Sequence, residues 1–196
     1  MARKRTGMSA ALRRLGDGAV GFLTVGMLKL LRAIPRKPMA NFCGGVLRTF
    51  GPLLREHRIG RDNLKAAFPE KTDAEVEAIL RGVWDNLGRV AAEFAHIDRL
   101  HIEDPANPGP EDITYTPRSL ELFRKLRDDG KPALLFTSHL ANWELAAYVA
   151  EQYGLHLHVL YRRPNIGAAN DAIMKLRSGA MGTLVATGLD APGRLA

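Results

Sequence analysis

A histidine and a glutamate five residues apart, His139 and Glu144, have the side-chain types that acid–base chemistry needs. An imidazole, with an ordinary pKa near 6.5, can take a proton from an alcohol at neutral pH. A carboxylate at its other nitrogen fixes the tautomer and stabilises the imidazolium. On one helix the two side chains would point about 140° apart. They can therefore meet only if His139 lies in a turn, and because a histidine near an acid is common, the spacing alone does not establish catalysis.

The residues around this pair predict the elements that would position it. The apolar run of residues 132–136 predicts a short strand, and residues 142–153 predict a helix that Gly154 ends. In an open α/β sheet, ligands and catalytic residues lie beyond the carboxyl ends of the strands, where helix N-termini offer free N–H groups. His139 follows the predicted strand and precedes the predicted helix, so the sequence places it in the required turn.

The chain after this motif continues to alternate between strand and helix. Residues 155–161 and 183–187 predict two more strands, and residues 168–178 predict a helix between them. This order implies right-handed crossovers and a parallel sheet. Three strands are fewer than the ~5 to 6 of a typical sheet, so the predicted sheet is incomplete. A helix over residues 117–129, capped by Thr116, precedes it.

The chain before the sheet has a helical pattern. Thr72 and Glu75 form a capping-box signature, and apolar residues then recur every three or four positions as far as Phe94. Three prolines make residues 103–115 a loop and a natural boundary. The predicted fold class is α/β, with a helical N-terminal part followed by an incomplete, mostly parallel sheet with flanking helices.

Positive charge is concentrated in the first third of the chain. The whole chain of 196 residues has a net charge of +7, but residues 1–65 carry 14 Lys and Arg against three acids, a balance of +11. The remaining residues balance to −4. Positive charge that is concentrated in one part of the chain indicates an anionic partner for that part, here the N-terminal third. Nucleic acid is not favoured, because the sequence shows no aromatic stacking ladder, zinc finger or helix-turn-helix spacing.

A membrane surface suits the mixture of basic and apolar residues near the N-terminus. The charge-free run of residues 18–28 is shorter than the ~20 apolar residues that span a bilayer, so an interfacial helix is the first interpretation. A tilted span, a secretory signal peptide and a helix packed on its own protein are the alternatives. Three segments are predicted: residues 1–38 for membrane association, residues 39–115 as the helical part, and residues 116–196 as the α/β half that carries His139 and Glu144.

Cysteine usage excludes two kinds of site. The single Cys43 cannot form an internal disulfide, and no spaced group of His and Cys residues suggests a thiol-based metal framework. A reducing compartment is consistent with this composition.

The residues from Thr137 to Glu144, Thr-Ser-His-Leu-Ala-Asn-Trp-Glu, are more specific than the spacing of the pair. They resemble the His-x4-Glu motif of the bacterial lipid A biosynthesis acyltransferases, often written His-Phe-Gly-Asn-Trp-Glu. Leu140 and Ala141 replace the Phe and Gly of that form, between the two catalytic positions. Residues 58–94 and the block from Leu160 that includes Asp171 and Arg177 also resemble the family, so the similarity covers residues 8–188.

This resemblance implies an O-acyltransferase with a glycerolipid-acyltransferase-like fold. A hydroxyl of a lipid A precursor would attack an acyl thioester on acyl carrier protein, with His139 as general base and Glu144 as its orienting partner. Arg162, Arg163 and Arg177 would bind anionic groups of the substrates, since guanidinium forks match phosphate geometry. No metal and no cofactor are implied. The expected location is the cytoplasmic face of a bacterial inner membrane.

The resemblance also leaves alternatives for substrate and activity. The motif contains no residue that would recognise the sugar of the acceptor, so another glycolipid such as a phosphatidylinositol mannoside is an alternative acceptor. The family's distal strands and its hydrophobic block ending in Asp-Gln do not appear, so the chain is expected to be a C-terminally truncated member. An inactive membrane-surface protein is therefore the alternative from a different class.

Overall fold

The structure, a computed structural model, describes residues 7–103, 112–138, 140–162, 167–188 and 193. The first part contains four helices: α1 (Gly7–Ala33), α2 (Arg36–Phe50), α3 (Arg55–Ala67) and α4 (Asp73–Phe94). Short 3₁₀ turns follow α2 at Gly51–Leu53 and α4 at Ile97–Arg99. The second part contains, in order, α5 (Pro117–Asp128), α6 (Leu145–Gln152), β1 (His158–Tyr161), α7 (Gly167–Ser178) and β2 (Thr183–Ala186).

The described chain divides into two compact units. One unit consists of residues 30–96 together with residues 138–143 and is helical. The other takes in the sheet and helices α5, α6 and α7. The α/β class is therefore correct in broad terms, with a larger helical share and a smaller sheet than the sequence predicts.

The helical unit is built on the packing of α2 against α4. Glycines allow the close approach: a Cβ added at Gly88 would overlap the carbonyl of Cys43, and one added at Gly44 would lie 2.9 Å from Asp85 Oδ1. Gly51 is packed in the same way against the ring of Trp84. Backbone that lies this close has no room for a side chain, so these glycines are fixed by packing.

Helix α4 begins at the predicted capping box. Thr72 Oγ1 accepts a hydrogen bond from the Glu75 amide at 3.3 Å, and Glu75 Oε2 accepts one from the Thr72 amide at 2.8 Å. Its buried apolar face consists of Val76, Leu80, Trp84, Val90 and Ala92. The predicted apolar face is broader, because Val83 and Leu87 also fit the period but are exposed. The period of the apolar residues therefore predicts the helix correctly, but it does not show which of these residues are buried.

A polar network is buried beside this face. His57 is 4% exposed, and its Nδ1 accepts the Trp84 indole N–H at 3.1 Å. Its Nε2 lies 3.0 Å from Glu77 Oε2, and Arg61 Nε donates to Glu77 Oε1 at 2.6 Å. Because Nδ1 is the acceptor, Nε2 carries the proton and donates it to Glu77. The network joins α3 to α4 and satisfies a polar group that would be costly to bury alone.

The sheet in the described residues is the parallel pair β1 and β2. His158 lies opposite Thr183 and Tyr161 lies opposite Ala186, with α7 as the connection between the strands. Val185 of β2 and Met181 before it are buried. The second and third predicted strands and the helix between them are therefore confirmed, with shorter strands than predicted.

The first predicted strand is wrong. Residues 132–136 form no strand, and their side chains are exposed, with Leu134 at 86% and Phe136 at 91%. An apolar run becomes a strand only where a neighbour supplies backbone hydrogen bonds and covers its side chains. Neither β1 nor β2 pairs with this run.

The connections between the parts are partly described. The predicted loop over residues 103–115 includes residues 104–111, which lie outside the described residues, and Ile102 bridges to Ile113 across it. Thr116 Oγ1 caps the next helix by accepting the Ser119 amide at 3.2 Å, as the sequence predicts. Near the N-terminus, no helix in the described ranges is long and apolar enough to cross a membrane.

Candidate active site

Glu144 is the charged residue that the α/β unit buries at the predicted motif. It directly precedes α6, and its carbonyl accepts the Tyr148 amide at 3.3 Å, so the helix begins immediately after it. The residue is 8% exposed. A carboxylate taken out of water to this extent needs a charged or hydrogen-bonding partner.

Arg177, in the last turn of α7, is that partner. Its Nε donates to Glu144 Oε2 at 3.0 Å, and its Nη2 donates to Oε1. The guanidinium fork thus bonds both carboxylate oxygens, which is the strong and directional form of this pair. The contact holds the start of α6 against the end of α7 and fixes the orientation of the Glu144 carboxylate.

The residues on either side of His139, Ser138 and Leu140, lie outside regular secondary structure. The Leu140 amide donates to the Ser138 carbonyl at 2.8 Å, and Ala141 has a φ of 46°. That value lies in the left-handed region, where L-residues other than Asn and Asp are uncommon. His139 itself lies outside the described residues, so its predicted contact with Glu144 stays a prediction.

The three predicted arginines have different outcomes. Arg177 forms an ion pair with Glu144, whereas the sequence predicts an anionic substrate as its partner. Arg162 follows Tyr161 at the carboxyl end of β1 and is exposed. Ligands of open α/β sheets bind at this end of the strands. Arg163 lies outside the described residues. Substrate binding by these arginines stays a prediction.

Asn142 contributes a contact that the sequence does not reveal. Its side chain is buried, and its Nδ2 donates to Glu93 Oε2 at 3.0 Å, while Arg36 Nη1 lies 3.9 Å from Glu93 Oε1. Its Oδ1 is buried without a hydrogen-bond partner among the described residues. Asn142 and Glu93 are 49 residues apart, and no spacing or period links them. Asn142 therefore holds the motif segment on the end of α4.

In the part of the chain that the structure describes, no group of three or more His, Cys, Asp or Glu residues is placed to hold a metal ion. The described chemistry is that of a fixed, buried carboxylate paired with a guanidinium. Such a carboxylate can orient an imidazole, and it has lone pairs left to do so, because each carboxylate oxygen accepts two hydrogen bonds.

Comparison with known proteins agrees with the motif. The sequence model of the family described as bacterial lipid A biosynthesis acyltransferase matches residues 5–189, which is most of the chain. No curated protein and no solved structure matches the chain.

Proposed function

The chain belongs to the bacterial lipid A biosynthesis acyltransferase family, and we propose that it transfers a fatty acyl chain from acyl carrier protein to a hydroxyl of a lipid A precursor. Family membership makes it an acyltransferase of lipid A biosynthesis. The donor, the acceptor, the O-acyltransferase class and a glycerolipid-acyltransferase-like fold are the finer parts of the proposal.

The proposed reaction is attack of the acceptor hydroxyl on the thioester carbonyl. His139 removes the hydroxyl proton as the new C–O bond forms, and the C–S bond then breaks. The proton passes to the departing thiolate, so the products are an ester and the free thiol of the carrier. Glu144 accepts a hydrogen bond from the other ring nitrogen of His139 and stabilises the imidazolium, as a carboxylate does for a histidine base.

The observation that carries this proposal is the bidentate contact between Arg177 and buried Glu144. A carboxylate that orients a base has to be held at a fixed angle, because small displacements of catalytic groups cost large factors in rate. The guanidinium fork uses one acceptor position on each oxygen of Glu144. The remaining lone pairs are available to His139.

The proposed location is the cytoplasmic face of a bacterial inner membrane, with an anionic membrane surface as partner. The basic N-terminal third supports it, because Lys and Arg near anionic headgroups gain about 1 kcal/mol each. Exposed apolar side chains of α1 also support it: Phe22, Leu23 and Met27. Their apolar surface can enter the interface while the basic residues contact headgroups.

The decisive experiment incubates the full chain with acyl carrier protein thioester and a tetra-acylated lipid A precursor. We expect product with the unmodified protein, and a rate lower by about 10²- to 10⁴-fold with His139→Ala, the range for loss of a general base. His158→Ala is the matched control, because His158 is an exposed histidine of β1 outside the proposed pair. Equal product from unmodified protein and His139→Ala would refute the proposal. A parallel reaction with a phosphatidylinositol mannoside tests the acceptor.

A further inference from the structure

A cleft between α2 and α4 is independent of the candidate active site. It has a volume of about 330 Å³ and is lined by Arg48, Ala78, Arg81, Gly82 and Asp85. All of these residues lie in the helical unit, and none belongs to the acyl-transfer motif. The volume is at the lower end of the range for small-molecule sites.

The charges that line this cleft are unbalanced. Asp85 Oδ2 accepts Arg89 Nε at 2.7 Å, and Arg89 Nη1 donates to Asn41 Oδ1 at 2.7 Å, so the one acid of the lining is already neutralised. In the described ranges, Arg48 and Arg81 have no ion pair and no side-chain hydrogen bond, and both are exposed. Two guanidinium groups without a counter-charge therefore share one concave surface.

The floor of the cleft leaves room for a ligand. A Cβ added at Gly82 would have no heavy atom within 4 Å, so the helix backbone is open at this point. Ala78, one turn earlier on α4, adds only a methyl group. Small-molecule sites combine apolar surface with a few polar groups that fix orientation, and the exposed Ala78 and Gly82 beside two arginines offer both.

We propose that this cleft binds a phosphate monoester, with Arg48 and Arg81 donating to its oxygens. A phosphate monoester carries nearly two negative charges at neutral pH, which matches two unpaired guanidinium groups. The planar fork of arginine pairs with two phosphate oxygens at once. Arg48 on α2 and Arg81 on α4 would hold the phosphate from opposite helices, while the organic part lies over Ala78 and Gly82.

The phosphate can belong to a soluble metabolite or to a lipid headgroup, and two probes separate these sources. Glycerol 3-phosphate is titrated into the full chain by calorimetry, against potassium chloride of equal ionic strength. Separately, the chain is mixed with vesicles of phosphatidylcholine that contain phosphatidic acid. Arg48→Gln and Arg81→Gln are compared with Arg58→Gln, an exposed arginine of α3 outside the cleft.

Loss of either cleft arginine is expected to weaken binding at least tenfold, while Arg58→Gln binds as the unmodified chain does. This pattern with glycerol 3-phosphate identifies a soluble phosphate ester. The same pattern with vesicles alone identifies a lipid headgroup, and the charge-matched control removes the general attraction of a basic chain to anionic vesicles. The proposal is overturned if the three variants lose binding equally in both arms, or if chloride reproduces the effect of glycerol 3-phosphate. Acyl transfer is not needed for any of these readouts, so failure here leaves the proposed function unaffected.

Discussion

Arg177 and Glu144, 33 residues apart in the chain, form a single bidentate ion pair between the end of α7 and the start of α6. The carboxylate is nearly covered and the guanidinium is one-fifth exposed. A pair in this position is costly to break, because removing one partner leaves the other charge buried and unpaired.

Replacing Arg177 with methionine is therefore expected to impair both stability and activity. The unfolding free energy should fall by about 3 kcal/mol, the usual cost of orphaning a buried charge. If Glu144 orients the base, the rate of acyl transfer should fall by about 100-fold or more through misplacement of that base. Urea unfolding and the acyl-transfer assay measure the two effects separately.

Two further variants distinguish pairing from simple packing. Arg177→Lys keeps the charge but not the fork, so it should recover part of the stability and little of the activity. The double variant Glu144→Gln with Arg177→Met should be more stable than the sum of the single changes predicts, because neither charge is orphaned. Strict additivity of the two changes would show that the residues are not coupled.

The parts of the fold that the sequence predicts well are those set by local contacts. The Thr72 and Glu75 capping box lies within one turn of helix, so the spacing of the two residues is enough to predict their contact. Residues 132–136 are different, because an apolar run forms a strand only beside a partner strand, and neither β1 nor β2 pairs with this run. Local pattern does not supply that information.

The candidate site shows the same limit. The motif identifies Glu144, but the partner of Arg177 is a protein carboxylate, and the sequence predicts an anionic substrate there. The contact between Asn142 and Glu93 joins residues 49 positions apart and leaves no signature in either segment. Sequence spacing identified residues of the site, and only the fold shows which of them contact one another.

Ala141 gives a prediction about the motif turn. Its φ of 46° is a conformation that glycine adopts without steric cost, and the common form of the motif has glycine there. Ala141→Gly should raise the unfolding free energy by about 0.5 kcal/mol, because relief of strain exceeds the added entropy of the unfolded chain. Ala78→Gly, at an exposed position in the interior of α4, should instead lower it by about 1 kcal/mol. Urea unfolding of both variants checks the opposite signs, and a loss with Ala141→Gly contradicts the prediction.

Two glycines of α4 test the packing against α2. A Cβ at Gly88 would overlap the Cys43 carbonyl, whereas a Cβ at Gly82 meets nothing within 4 Å. Gly88→Ala should therefore destabilise the protein by more than about 2 kcal/mol, because backbone has to move to admit the methyl group. Gly82→Ala should stabilise it by up to about 1 kcal/mol through helix propensity. Thermal unfolding of the two variants compares the same chemical change at a closed and an open position, and similar effects would mean that α2 and α4 do not approach closely at Gly88.

Glu77 links stability to pH. A hydrogen bond from Arg61, together with the contact to His57, lowers the pKa of the Glu77 carboxyl below its ordinary value of 4.5. Since the folded pKa is depressed, the stabilisation is fully present above the unfolded pKa and is lost as the pH falls through the folded pKa. Glu77 and Arg61 are partly exposed, so solvent screens the pair and the effect is modest.

The unfolding free energy of the unmodified chain should therefore fall more steeply than that of Glu77→Gln between about pH 6 and pH 3. Other carboxyls with lowered pKa values, Asp73, Glu75 and Asp128, contribute to both proteins and cancel in the comparison. Glu56→Gln is the matched control, because Glu56 has no ion pair in the part of the chain that the structure describes, and its profile should parallel that of the unmodified chain. Urea unfolding at several pH values measures the three slopes. Parallel profiles for all three proteins would mean that the contacts of Glu77 with Arg61 and His57 do not stabilise the folded state.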